Sequence, residues 1–215
     1  MNAETVTPDQ LSLWDLTMDG GYLMIPLAIL LLVGIYVFVE RYITIRRASK
    51  TDATFMKRIR EYVKEGDVDS ARNLCKKTDT PCSRLILKGV DRIGRPMGDV
   101  QTAIENTGNI EVAALGKGFS WLSTTAACAP MIGFLGTVTG MIEAFFALAK
   151  SGTAANITVL SSGIYQALVT TVAGLVVGIL AMFAYNFLVS RVNRIMNDME
   201  GKTMEFMDLL NEPAF

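Results

Sequence analysis

The chain has 215 residues, 51% of them apolar, with a mean hydropathy of +0.35, a net charge of −1 and 19% charged residues, below the roughly 25% usual for soluble domains. There is no charge between Gly20 and Val39, and only Glu143 and Lys150 between Trp121 and Ser190, a distribution that excludes an ordinary soluble globule. Three cysteines and no histidine argue against a disulfide framework and against a zinc site.

In chain order, residues 1–19 form an N-terminal segment carrying Glu4, Asp9, Asp15 and Asp19 and no basic residue. A secretory signal starts with basic residues, so none is expected here. A membrane core about 30 Å thick takes about 20 apolar residues in a helix. Tyr22 to Val39 supplies the first span, set at 20–40, with Pro26 in its first turns where a missing backbone donor matters least. Residues 41–120 read as a helical domain. Thr54 to Lys64 has a helical period, Gly66-Asp67 marks a stop and an N-cap, Thr80-Pro81 is a cap followed by a first-turn proline, and Gly94-Arg95-Pro96 breaks the chain again. From Gly98 a polar helical pattern leads towards Trp121, and an unbroken helix into the second span is expected. The second span is set at 121–148, with a bend expected at Pro130, the connection at 149–158, the third span at 159–190 and a tail at 191–215. The expected architecture is therefore an all-α membrane protein with three transmembrane helices, the second and third of them long, and a helical domain outside the lipid.

Basic residues near span ends set orientation. Arg41, Arg46, Arg47 and Lys50 follow the first span, Arg191 and Arg194 follow the third, and the 149–158 connection has only Lys150. The N-terminus is thus expected on the outer, periplasmic side, with the helical domain and the tail in the cytoplasm.

No enzyme motif, phosphate-cradling loop or metal-ligand spacing occurs, so no catalytic residue, metal or cofactor is expected and function is sought at polar positions inside the membrane. Gly133, Gly136, Thr137, Gly140, Glu143, Ala144 and Ala147 share one face of the second span; Gly163, Gln166, Ala167, Thr170, Gly174, Gly178 and Ala181 share one face of the third, with Thr171 at its edge. Gly136/Gly140 and Gly174/Gly178 are small-xxx-small pairs suited to close helix packing. Thr137, Thr170, Thr171 and Gln166 bring hydrogen-bonding groups to membrane depth, where they either line a pore or bond to carbonyls of their own helix. Glu143 is read first as an acid near the outer membrane surface and second as a buried proton site. A membrane scaffold without an ion path remains the competing class; a stand-alone transporter is disfavoured because three spans without a repeat enclose no substrate site.

The run from Ala129 to Phe145 (APMIGFLGTVTGMIEAF) is similar to the AP-x-x-GLLGTV-x-G motif of the ExbB/TolQ/MotA proton-channel family. The run from Gly163 to Leu175 (GIYQALVTTVAGL), followed by Tyr185-Asn186, is similar to that family's GI-x-EAL-x-TT-x-x-GL and YN, and the chain resembles the ExbB/TolQ branch over nearly its whole length. The resemblance implies an inner-membrane homopentameric ring around two copies of a single-span partner of the ExbD or TolR type, whose aspartate takes the proton. It implies a motor that uses proton-motive force, through a TonB-like protein, to energise outer-membrane transport, with TolQ-like or gliding-motility service as alternatives. By position, Thr137 and Thr171 match the family's pore threonines and Pro130 its second-span proline. Gln166 stands where relatives often carry Glu, and Glu143 where they often carry Asn, His or Gln. A titrating acid of the ring itself is therefore in doubt, and the partner's aspartate is the expected carrier.

Overall fold

The computed structural model describes residues 21–50, 54–151 and 157–212; the acidic segment at 1–19 and the centre of the connection at 149–158 lie outside the described residues. These residues form seven helices: α1 (Met24–Ala48), α2 (Phe55–Lys64), α3 (Val68–Thr78), α4 (Pro81–Val90), α5 (Met97–Leu115), α6 (Phe119–Ser151) and α7 (Ile157–Asn211). No strand occurs among the described residues, and α1, α6 and α7 are each long and apolar enough to cross a membrane.

Local chemistry sets most boundaries. The Asp67 carboxylate accepts from the Ser70 N–H at 3.0 Å and caps α3, and this bond holds its pKa below the ordinary 3.8. The helix ends on Asp79, whose φ of 42° is left-handed. Thr80 Oγ1 accepts from the Ser83 N–H at 3.2 Å while Ser83 Oγ accepts from the Thr80 N–H at 2.8 Å. This reciprocal pair starts α4, with serine in the place glutamate usually takes and Pro81 at the first helical position. Gly94 turns the chain with φ 88°, and α5 begins after Pro96.

Two boundaries differ from expectation. The helix from Gly98 does not run into the second span. It stops at Leu115, and Gly118, at a φ of 88°, breaks the helical backbone before α6, a geometry that favours a residue without Cβ. The stretch at 191–215 is not a separate tail: α7 continues from the apolar span to Asn211 as one helix of 55 residues. α1 likewise runs past Val39 to Ala48, with Arg46 and Arg47 in its last turn, where the helix dipole favours cations.

Contacts divide the chain into two compact units. Of the described residues, one comprises those up to Tyr36 with those from Trp121 to Phe183, the other those from Val37 to Ser120 with those from Ala184 onward. In the second unit the core is Phe55, Ile59, Ile86, Val90, Val100, Ile104 and Phe206, all almost fully buried. Phe206 reaches this core because Gly89 has no side chain; a Cβ there would stand 2.5 Å from the ring. Arg84 holds α4 to α5 with two bonds of 2.7 Å to the Glu111 carboxylate and a third contact to Asp79, which raise the guanidinium pKa further above its already high value. Burial pushes the Cys75 thiol up to about 12 and the Cys82 thiol up to about 11.

The first unit has the inverse character. Its small core joins Leu27 of α1, Ala129 of α6 and Val177 of α7. Large apolar residues face outward instead: Ile25, Ile29 and Leu32 on α1, Met131, Phe134 and Phe146 on α6, and Val172, Ile179 and Phe183 on α7. Such an outer surface suits hydrocarbon as solvent.

Candidate functional site

The site grows from the contact between α6 and α7. A Cβ on Gly174 would lie 2.5 Å from the Ala129 carbonyl oxygen and 2.8 Å from Gly133 Cα. One on Gly133 would lie 3.1 Å from the Thr170 carbonyl oxygen, one on Gly140 2.8 Å from Ala167 Cβ, and one on Gly163 2.8 Å from Ala144 Cβ. The two small-residue faces therefore lie backbone to backbone. Gly178 sits against the Pro130 ring, with the Ala126 carbonyl near the same point. Ala126 is the residue whose carbonyl Pro130 leaves without its helical donor, and α7 covers it. α6 itself is continuous through Pro130.

On the edge of this contact stand two threonines. Thr171 Oγ1 lies 2.8 Å from the Gly133 carbonyl oxygen across the helix pair, 3.3 Å from the Ala167 carbonyl oxygen and 3.3 Å from Thr137 Oγ1. Thr137 Oγ1 donates to the Phe134 carbonyl at 2.6 Å. Both side chains are half-buried. A hydroxyl has one proton and two lone pairs, so with Thr137 committed to Phe134 and Thr171 to Gly133, each oxygen keeps acceptor capacity at the margin of the pair.

Thr170 lies elsewhere. It is 2% exposed, packs on Gly136 and donates to the Gln166 carbonyl at 3.0 Å. Gln166 is half-buried beneath the start of α1, where its amide nitrogen lies 2.5 Å from the place of a Gly21 Cβ; Gly21 has φ 70°. Gln166, Thr170 and Glu143 share a small cleft of about 40 Å³ with Thr139, Gly140 and Tyr22. Glu143 is solvent-accessible rather than enclosed. The five polar positions thus fall into two groups, Thr137 with Thr171, and Glu143 with Gln166 and Thr170.

Two polar residues were not singled out from the sequence. Thr139 lines the cleft and bonds the Leu135 carbonyl at 2.9 Å. Thr125 is 1% exposed, and its hydroxyl has no hydrogen-bond partner among the described residues. A threonine inside an apolar run was the available signal for both.

The fold and site define a class: an all-α integral membrane protein whose polar intramembrane groups gather on one packed helix pair. Residues 77–201, more than half of the chain, match the MotA/TolQ/ExbB proton channel family. Among curated relatives, the chain is 29% identical over 165 residues to an ExbB homologue of Methanothermobacter thermautotrophicus, covering 75% of this chain and 58% of that one. It is 38% identical over 107 residues to the Tol-Pal system protein TolQ of Haemophilus influenzae, covering 50% and 46%. It is 36% identical over 78 residues to the biopolymer transport protein ExbB of Salmonella typhimurium, covering 36% and 32%. The chain therefore belongs to the MotA/TolQ/ExbB proton channel family, on its ExbB-like side, and spans between about a third and three fifths of the length of these relatives.

Proposed function

We propose that this chain is the multi-copy subunit of a proton-driven motor channel in a bacterial inner membrane, energising TonB-dependent transport at the outer membrane. The observation that carries this is the Thr137–Thr171 hydroxyl pair, set at 3.3 Å on the margin of a glycine-packed helix hairpin. A polar group in the lipid interior is retained where it serves a polar pathway. Five copies form a ring with these margins turned to a central cavity. Two single-span ExbD-like helices occupy the cavity, and an aspartate of theirs carries the proton past the threonine hydroxyls. The exposed Glu143 sits at the periplasmic mouth and Gln166 does not titrate, so the ring supplies hydrogen bonds and the partner supplies the acid.

The distribution of cations supports the orientation, with Arg46, Arg47, Lys50, Arg191 and Arg194 at the cytoplasmic ends of α1 and of the apolar part of α7. The N-terminus then lies in the periplasm, and α2 to α5 with the end of α7 in the cytoplasm.

The test is co-expression with a single-span partner that has a lone aspartate at the start of its helix. The complex co-purifies, and Thr137→Val with Thr171→Val stops energised transport while the complex still assembles. Transport that survives the double substitution removes the threonines from the pathway. Matches to both ExbB and TolQ proteins support service to a Tol-type system as the second reading; growth on a TonB-dependent iron source against outer-membrane integrity separates the two.

A further inference from the structure

The end of α1 and the stretch of α7 that follows its uncharged span form a second feature, independent of the threonine pair. A cleft of about 460 Å³ opens between them, and four of its lining side chains are cations: Arg46 from α1, Lys50 just after it, and Arg191 and Arg194 from α7. Among the described residues no carboxylate lines it and none of the four forms an ion pair. Other cations of the same unit are matched: Arg41 bonds Glu40, Arg72 bonds Asp91 and Arg84 bonds Glu111. Four like charges facing one cleft repel one another, and an anion between them removes that repulsion.

We propose that this cleft binds the phosphate headgroup of an anionic phospholipid from the bilayer face on the helical-domain side. Planar guanidinium groups match phosphate oxygens in pairs, and the Ser49 and Tyr42 hydroxyls add donors on the same wall. The lipid source follows from the surroundings. The cations come directly after the membrane-spanning stretches, Ile45 and Leu188 give the cleft apolar wall for the glycerol and first methylenes, and the Tyr42 and Phe187 rings stand 6.2 Å apart beside it. Aromatic rings of this kind mark headgroup depth. The Arg191 guanidinium lies 5.1 Å over the Phe187 ring, a stacking contact that positions it at that level.

The test is native mass spectrometry of the full-chain complex in detergent, titrated with dioleoyl-phosphatidylglycerol, with dioleoyl-phosphatidylcholine and with inorganic phosphate. Phosphatidylglycerol binds in preference to phosphatidylcholine. Each cation near an anionic membrane surface is worth about fivefold in attachment, so Arg46→Gln with Arg194→Gln weakens phosphatidylglycerol binding by about 25-fold. Arg46→Lys with Arg194→Lys retains most of it, and Arg47→Gln, the same one-charge loss as Arg194→Gln alone but outside the cleft, leaves it unchanged. The same spectra report whether each variant assembles; if the double variant does not, Arg194→Gln alone carries the test with a loss of about fivefold. Equal binding of the two lipids, no loss in the glutamine variants, or an equal loss in Arg47→Gln overturns the site. Displacement of phosphatidylglycerol by millimolar inorganic phosphate overturns the lipid assignment in favour of a free phosphate anion.

Discussion

Gly174→Ala probes the helix contact on which the site depends. The added Cβ would stand 2.5 Å from the Ala129 carbonyl oxygen and 2.8 Å from Gly133 Cα, and both are backbone atoms of α6, so no side chain can turn aside. A carbon and a carbonyl oxygen in ordinary contact sit about 3.3 Å apart, so the helices must part by about 0.8 Å. One turn away, Thr171 Oγ1 reaches the Gly133 carbonyl at 2.8 Å, and the same displacement takes that bond to about 3.6 Å, outside hydrogen-bonding range. Overpacking costs about 1–3 kcal/mol and an interhelical hydrogen bond in a membrane about 0.6 kcal/mol, so a loss of about 2–4 kcal/mol is expected. The assay is reversible unfolding in detergent micelles, with Gly98→Ala as control, since a Cβ there meets nothing within 4 Å. Gly136→Ala falls between the two, because its Cβ meets Thr170 side-chain atoms at 2.6 Å and 2.8 Å rather than backbone. A Gly174→Ala protein within about 0.5 kcal/mol of the parent shows that α6 and α7 do not meet along this line.

Further outcomes concern the helical domain. Thr80→Ala removes half of the reciprocal cap at α4 and costs about 1–2 kcal/mol, read from denaturant midpoints; an unchanged midpoint refutes the cap. Cys75 and Cys82 are buried, with thiols pushed up to about 12 and about 11, so a thiol reagent at pH 8 modifies neither until the protein unfolds, and rapid labelling of either in the native protein contradicts their burial. The Asp67 carboxylate is held below its ordinary 3.8 by the Ser70 N–H. Its contribution to α3 is therefore fully present above that value and is lost as pH falls through the lower folded-state value; Asp67→Asn, which keeps a capping oxygen, removes this acid dependence, measured as the pH profile of stability. Persistence of the same profile in the variant assigns it to another group.

The spans were legible because the charge-free stretches exceed what a soluble fold tolerates, and the starts of α3 and α4 because Asp67 and Thr80-Pro81 cap them by side-chain chemistry alone. The stop before α6 was missed although Gly116 and Gly118 frame it, since the apolar pattern on either side continues in phase. The third helix was legible as long, but its extension past Ser190 to Asn211 was not, because the polar residues there were read as a tail. Yet Val192, Ile195, Met199, Phe206 and Leu209 recur at helical spacing, and all are buried. Within the site, periodicity placed the small residues on facing stripes. It could not distribute the polar ones: Thr170 and Thr171 are adjacent in sequence, yet one is sealed against Gly136 while the other stands at the edge with Thr137. That split depends on the rotation of two helices about each other, set by where glycine lets the backbones touch.

Proton uptake into liposomes carrying the complex with its single-span partner, driven by an imposed membrane potential, tests the central claim most directly. The hydroxyls of Thr137 and Thr171 are held to serve the proton path, so the parent and the Thr137→Ser, Thr171→Ser variant take up protons while the Thr137→Val, Thr171→Val variant, equally well assembled, does not. Equal uptake by the valine variant would contradict the account and leave the threonine pair a packing feature.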